Sequence, residues 1–126
     1  MQDFRSLRVW HLAKELTPAL ERALPARACR RLPGFRSQIL RAAGSVSGNI
    51  AEGCSKRSRD EFRRYLETSL GSLLEVESNL ELAISCAILR ADVHNTLATK
   101  AAVLRRMLIS FMDAVERNDD RRGDPR

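Results

Sequence analysis

Residues 40–53 read LRAAGSVSGNIAEG, and no other run in the chain narrows the possible folds as far. The segments on either side are strongly helical, yet Gly44, Ser45, Ser47, Gly48 and Asn49 are poor helix formers. Even so, Ile39, Ala42 or Ala43, Val46, Ile50 and Gly53 recur at spacings of three and four, which is one face of a helix. With no side chain at Gly44 or Gly48, a neighbouring backbone could come very close. The same logic joins small-xxx-small pairs of membrane helices, and it needs no lipid. The run therefore reads as the tightly packed central helix of a bundle. Gly48, Gly53 and Ser55 also match the spacing of a phosphate-cradling GxxxxGK[ST] loop. That loop needs a lysine where this chain has Cys54, and a strand before it. The match is chance.

The rest of the chain supplies three further amphipathic segments. The first helix is expected to start near Phe4 or Ser6 and run to about Leu24, burying Val9, Leu12, Leu16, Leu20 and Leu24 with Trp10 beside them. Pro18 lies inside this pattern and predicts a kink or local break. PARACRRLPG, punctuated by Pro25, Pro33 and Gly34, reads as a basic loop. The second helix spans about 35–52, with Gly53 placed to end it as a C′ residue. Ser58 with Glu61 three residues on makes a capping box for the third helix, about 59–89. Its stripe is Phe62, Leu66, Leu70, Leu73, Val76 or Glu77, Leu80, Ile84 and Ala87. Asp92 is the expected cap of the fourth helix, where Leu97, Ala101, Leu104, Leu108, Phe111 and Val115 repeat at a/d spacing for near-parallel packing. Residues 118–126 are charged, carry no stripe and are expected to be a disordered tail.

Four amphipathic helices, short links and no strand signal predict an all-α, up-down four-helix bundle over residues 1–117, a single domain. Val103, Met107 and Ile109 flank the stripe of the fourth helix and widen its apolar face beyond what one partner covers, which points to a homo-oligomer. The alternative is a wide face buried within one chain. No apolar run approaches the length of a membrane span or a signal peptide. Cys29, Cys54 and Cys86 are odd in number and widely spaced, without CxxC, so neither a disulfide framework nor a zinc site is indicated. A cytoplasmic protein in a reducing compartment is the simplest fit.

Two boxes and the chain's start together resemble a known family. They are QILRAAGSVSGNIAEG and EFRRYLETSLGSLLEVESNLELA, preceded by Leu7-x-Val9-Trp10-x-x-Ala13. The sequence looks like the bacterial four-helix bundle proteins first noticed as reading frames inside intervening sequences of large-subunit ribosomal RNA. Arg41, Ala42, Ser45, Val46, Asn49, Ile50, Ala51, Glu52 and Gly53 match one family box; Gly71, Ser72, Leu73, Glu75 and Glu77 match another. Pro18 and the 25–34 stretch depart from the pattern. The resemblance implies a bundle that assembles into a ring of five chains. It also implies a fold similar to the accessory protein of diversity-generating retroelements, a basic pentamer that binds nucleic acid and a reverse transcriptase. For the ribosomal-insert branch it implies no activity.

Chemistry-bearing patterns are few. Di-iron bundles need Glu-x-x-His, but the residues three before His11 and His94 are Arg8 and Ala91. Cys54 has no partnering base at a supporting spacing. No enzyme, metal or cofactor is therefore expected. A polar set, Arg41, Asn49, Glu52, Glu75 and Glu77, reads as contacts that fix helix register, with Arg41 pairing to a helix-three carboxylate, in preference to the alternative of a ligand-binding site. The sharper feature is basic. Lys plus Arg number 22 against 16 acids, a net charge of +6, and only Lys14, Lys56 and Lys100 are lysines. Guanidinium forks suit phosphates and carboxylates. Lys56, Arg57, Arg59, Arg63 and Arg64 gather around the second link, and Arg105 and Arg106 on the fourth helix, with Arg27, Arg30 and Arg31 in the first link, are expected to add to them. A ring of five would carry about +30, enough to draw a polyanion by counterion release. Aromatics are 5% and follow helical spacing, so contacts with RNA or DNA are expected to be electrostatic and sequence-tolerant rather than stacked. The other reading is a structural or protein-interaction module whose arginines serve its own acids or subunit interfaces.

Overall fold

A computed structural model of the chain describes residues 2–122, the last five by their backbone alone. The apolar stripes become four helices: α1 Arg8–Ala23, α2 Phe35–Cys54, α3 Arg59–Ser85 and α4 Ala91–Arg122. Single 3₁₀ turns occupy Phe4–Ser6 and Ala26–Cys29. Among the described residues every regular element is helical. Contacts join α1 to α2, α2 to α3, α3 to α4 and α4 back to α1, so the helices run up and down around a square. The predicted stripes meet in one core, with Leu16 and Leu20 of α1, Ile39, Val46 and Ile50 of α2, Leu66, Leu73 and Leu80 of α3, and Leu104 and Leu108 of α4 all nearly inaccessible. No helix among the described residues is long and apolar enough to cross a membrane.

The glycines do not act where the sequence suggests. Gly44 and Gly48 are exposed, and a Cβ built on either would meet nothing within 4 Å, so the close helix approach expected there is absent. The close approach is at Gly53 instead. A Cβ at that position would lie 2.8 Å from Phe62 Cδ1 and 3.0 Å from Tyr65 Cβ. Gly53 is therefore not the residue that ends α2: it is inside the helix, which runs on through Cys54. Its helical backbone needs no glycine; the crowding by α3 does.

Several ends differ from the expected ones for local reasons. α1 passes unbroken through Pro18, which sits on the exposed side where water can serve the carbonyl that proline leaves unpaired. α3 stops at Ser85, four residues short of expectation. Ala87 takes the left-handed conformation at φ 58°, while Ile88 N–H donates to Ala83 O at 2.8 Å and Ala87 N–H to Ile84 O at 3.1 Å. This is a Schellman stop with alanine where glycine is usual, so the sequence carries no sign of it. Asp92 falls within the first turn of α4 rather than capping it; Arg90 O accepts the His94 N–H at 2.9 Å, and the Asp92 carboxylate holds Arg90. That guanidinium keeps the exposed Asp92 carboxyl below the ordinary carboxylate range. Ser58 does cap α3, accepting the Glu61 N–H at 3.3 Å. α4 continues through Arg122, past residue 117 where the stripe fades; the remainder of the predicted tail, 123–126, lies outside the described residues.

Two substitutions should separate these effects in chemical denaturation. Gly53→Ala forces Phe62 and Tyr65 to move and should cost about 1–3 kcal/mol, in the range of overpacked cores. Ala87→Gly relieves the left-handed strain and should stabilise by about 1 kcal/mol. Equal midpoints for wild type and Gly53→Ala would show that α3 does not press on α2 there.

Candidate nucleic-acid interface

The basic cluster forms where α2 turns into α3. Ser55 N–H donates to Glu52 O at 3.1 Å and Lys56 N–H to Gly53 O at 3.0 Å, which closes the last turn of α2. Ser58 opens α3 three residues after Ser55, so Lys56 and Arg57 are held in a link with no room to wander. The start of the chain comes to the same end. Gln2 N–H donates to Cys54 O at 2.9 Å, and Asp3 caps the Phe4–Ser6 turn by accepting the Arg5 N–H at 3.0 Å. Arg5 and Arg8 thus join the link residues, an addition invisible without the fold-back of the first turn. α4 arrives with its C-terminal portion, where Glu116 Oε1 lies 2.9 Å from Arg63 Nη1.

Part of this charge is committed to the protein's own acids. Lys56 Nζ is 3.5 Å from Glu52 Oε2 and 5.2 Å from the centre of the Tyr65 ring. Arg63 reaches both Glu67 and Glu116, and Arg59 lies 3.8 Å from Asp60. These pairs are partly exposed and so contribute no more than about 1 kcal/mol each. An incoming phosphate could compete for such cations. Arg57 and Arg64, and Arg8 at the start of α1, are exposed and form no ion pair among the described residues.

Other predicted members lie elsewhere. Arg105 Nε donates to Glu77 Oε1 at 2.9 Å, joining α4 to α3, while Arg106 is exposed and unpaired among the described residues. Eleven residues of helix, about 16 Å, separate Arg105 from Glu116 at the link end. Arg27, Arg30 and Arg31 are at the opposite end of the bundle, where the Arg31 guanidinium donates to the Cys86 carbonyl. The basic residues therefore form separate groups and not one patch.

The polar set is also rearranged. The expected pairing of Arg41 with an α3 carboxylate is absent: Arg41 is exposed and makes no ion pair among the described residues, and Glu77 is taken by Arg105. Glu75 is likewise exposed without a partner among them, and Glu52 holds Lys56. Asn49 does sit at the α2–α3 seam, its Nδ2 donating to Ser45 O at 2.8 Å and Ser45 Oγ at 2.9 Å. Ser45 Oγ in turn meets Ser72 Oγ at 2.8 Å. Ser69 is fully buried and donates to Val46 O at 2.7 Å. Ser69 was readable from sequence, because it falls at helical spacing between Leu66 and Leu73.

His11 Nε2 lies 2.7 Å from Arg5 O, and His94 Nε2 lies 2.9 Å from Glu81 Oε2, far apart along the bundle. No group of three or more His, Cys, Asp or Glu among the described residues is placed to hold a metal ion. Cys29, Cys54 and Cys86 are free thiols. Burial pushes the Cys29 and Cys54 thiols above their ordinary value, opposite to the shift of an activated thiolate.

The model of the 23S rRNA-intervening sequence protein family matches residues 5–110. The chain belongs to that family. A crystal structure of a protein of unknown function from the S23 ribosomal protein family of Bacteroides thetaiotaomicron VPI-5482 has a similar fold. The two are 22% identical with a TM-score of 0.75, over 82% of this chain and 97% of that one. Curated proteins give no match.

The Cys54 thiol supplies a check on this end of the fold. Because the folded thiols titrate above the unfolded ones, their stabilising contribution is complete below the unfolded value and is lost as pH rises through the folded one. Native Cys54 should resist alkylation at mildly alkaline pH, react once guanidinium unfolds the chain, and leave stability falling as the solution becomes more alkaline. Rapid native alkylation of Cys54, read by peptide mass spectrometry, would contradict its burial.

Proposed function

We propose that this chain is a non-enzymatic, cytoplasmic bundle that assembles with copies of itself into a ring of five and offers a basic surface to RNA or DNA without strong sequence preference, as an accessory factor to another protein. The observation carrying this reading is the set of exposed cations at one end of the bundle: Arg57 in the α2–α3 link, Arg64 early in α3 and Arg8 at the start of α1 have no acidic partner among the described residues. Assembly is supported by apolar residues left in solvent, with Leu74 49%, Leu82 43%, Val103 37% and Ile109 41% exposed. The open glycines point the same way. Gly44, Gly48 and Gly71 have nothing packed against them within the protomer, and each costs about 1 kcal/mol relative to alanine in a helix interior.

The alternative, a structural or protein-interaction module, is favoured by Arg63 and Arg105, whose guanidinium groups already tie α3 to α4. Salt separates the two. Binding of a short structured RNA, followed by fluorescence anisotropy, should weaken steeply as salt is raised. The Arg57→Ala, Arg64→Ala double variant should bind all sequences more weakly and lose about one unit of salt slope per lost phosphate contact. RNA binding unaffected by the double variant would remove the link end from the interface, and no binding at low salt would leave the interaction module. Light scattering should give a mass five times the 14.2 kDa of one chain; a single-chain mass would overturn the ring.

A further inference from the structure

We infer that the Phe4–Ser6 turn and the first turns of α1 form a base-stacking platform for single-stranded nucleic acid, with Trp10 as its central ring. The inference rests on the nucleic-acid reading above and narrows its ligand to a strand with unpaired bases. The chain has one tryptophan and one tyrosine, and both lie at the cationic end. Three rings there carry a cation each. The Arg5 guanidinium is 4.4 Å from the centre of Phe4, the Lys14 ammonium 5.3 Å from Trp10, and the Lys56 ammonium 5.2 Å from Tyr65. Phe4 folds back to within 4.8 Å of Trp10 at an interplanar angle of 60°, and His11 meets the indole edge-on at 5.0 Å. Phe4 and Trp10 are half-buried, and Arg8, which has no ion pair among the described residues, lies two residues from Trp10 in the chain.

Few aromatics at helical spacing gave no sign of a platform in the sequence, where residues 4 and 10 share no helical face. The 3₁₀ turn and the Gln2–Cys54 hydrogen bond bring their rings together. The energetic order also favours exchange. An exposed ammonium over an aromatic face contributes less than a stacked base does. A base can therefore displace Lys14 from the indole, and the freed ammonium remains within reach of the adjoining phosphate. Every base has a π-face, so the platform stays sequence-tolerant, whereas a duplex keeps those faces covered. A tryptophan among cations also suits an anionic lipid surface. Here, however, the indole packs back against the protein core and cannot sink into acyl chains as an amphipathic anchor does.

Because Trp10 is the only tryptophan, its fluorescence reports this site alone. The full chain is titrated at low salt with an oligothymidylate, with an abasic deoxyribose-phosphate strand of equal length and charge, and with phosphatidylserine vesicles. The thymidine strand should quench Trp10 and bind about tenfold more tightly than the abasic strand. By anisotropy of labelled strands, Trp10→Leu should reduce thymidine binding to the abasic level while Trp10→Phe keeps part of the preference; circular dichroism confirms that both variants fold. Equal affinities without quenching would overturn the platform yet leave the electrostatic reading standing. Failure of both strands to bind would overturn both, and quenching by vesicles alone would replace the strand with a lipid surface. The wild-type comparison decides the matter even if the variants do not fold.

Discussion

Phe62 and Tyr65 rest on the bare backbone of Gly53, and this contact fixes how α3 leaves α2. The helices touch where the link is shortest, so the direction of α3 is set within its first two turns. The Ser45–Ser72 and Ser69–Val46 hydrogen bonds then hold the same pair in register further along. A slip of α3 by one residue would turn Ser69 out of the core and its stripe of leucines with it. Everything at the cationic end inherits this geometry. Lys56 reaches Tyr65 because Tyr65 is pressed to Gly53, and Arg63 reaches Glu116 because α3 has been aimed along α4.

Much of the fold was legible because burial is periodic. The stripes of α1, α3 and α4 could be read residue by residue: most members lie in the core and others, such as Leu12, Phe62 and Phe111, pack against it, whereas Ala87 is exposed beyond the end of α3. What could not be read depends on neighbours that periodicity does not name. Any glycine in a helix can mark a close approach, and only the position of α3 decides that Gly53 does so while Gly44 and Gly48 stay open. A left-handed alanine leaves no signal at all. The candidate site divides in the same way. The link cations could be found from composition and spacing. Arg8, Phe4 and Trp10 could not be joined to them, because a three-residue turn and one backbone hydrogen bond bring them there.

The arginines illustrate why charge counts predict surfaces poorly. Arg105 and Arg63 bind carboxylates on neighbouring helices, whereas Arg57, Arg64 and Arg106 meet none among the described residues. The same residue type thus works as a strut in one place and as an exposed charge in another. Helix phase makes the difference: Arg105 faces Glu77 across a groove also lined by Leu74 and Ala98, and Arg106, 100° further round, faces solvent. Adjacent arginines in a sequence can therefore belong to different parts of the molecule's economy of charge.

The up-down arrangement has one more consequence. At each end of the bundle two helices begin and two finish, so positive and negative macrodipole ends lie side by side and largely cancel. The backbone then contributes little net field at the link end. Its potential is owed to side chains, and chiefly to flexible ones in water. Evolution can therefore make that surface attractive, neutral or repulsive to a polyanion through a handful of exposed substitutions while the core remains untouched. Chains sharing this fold need not share a ligand.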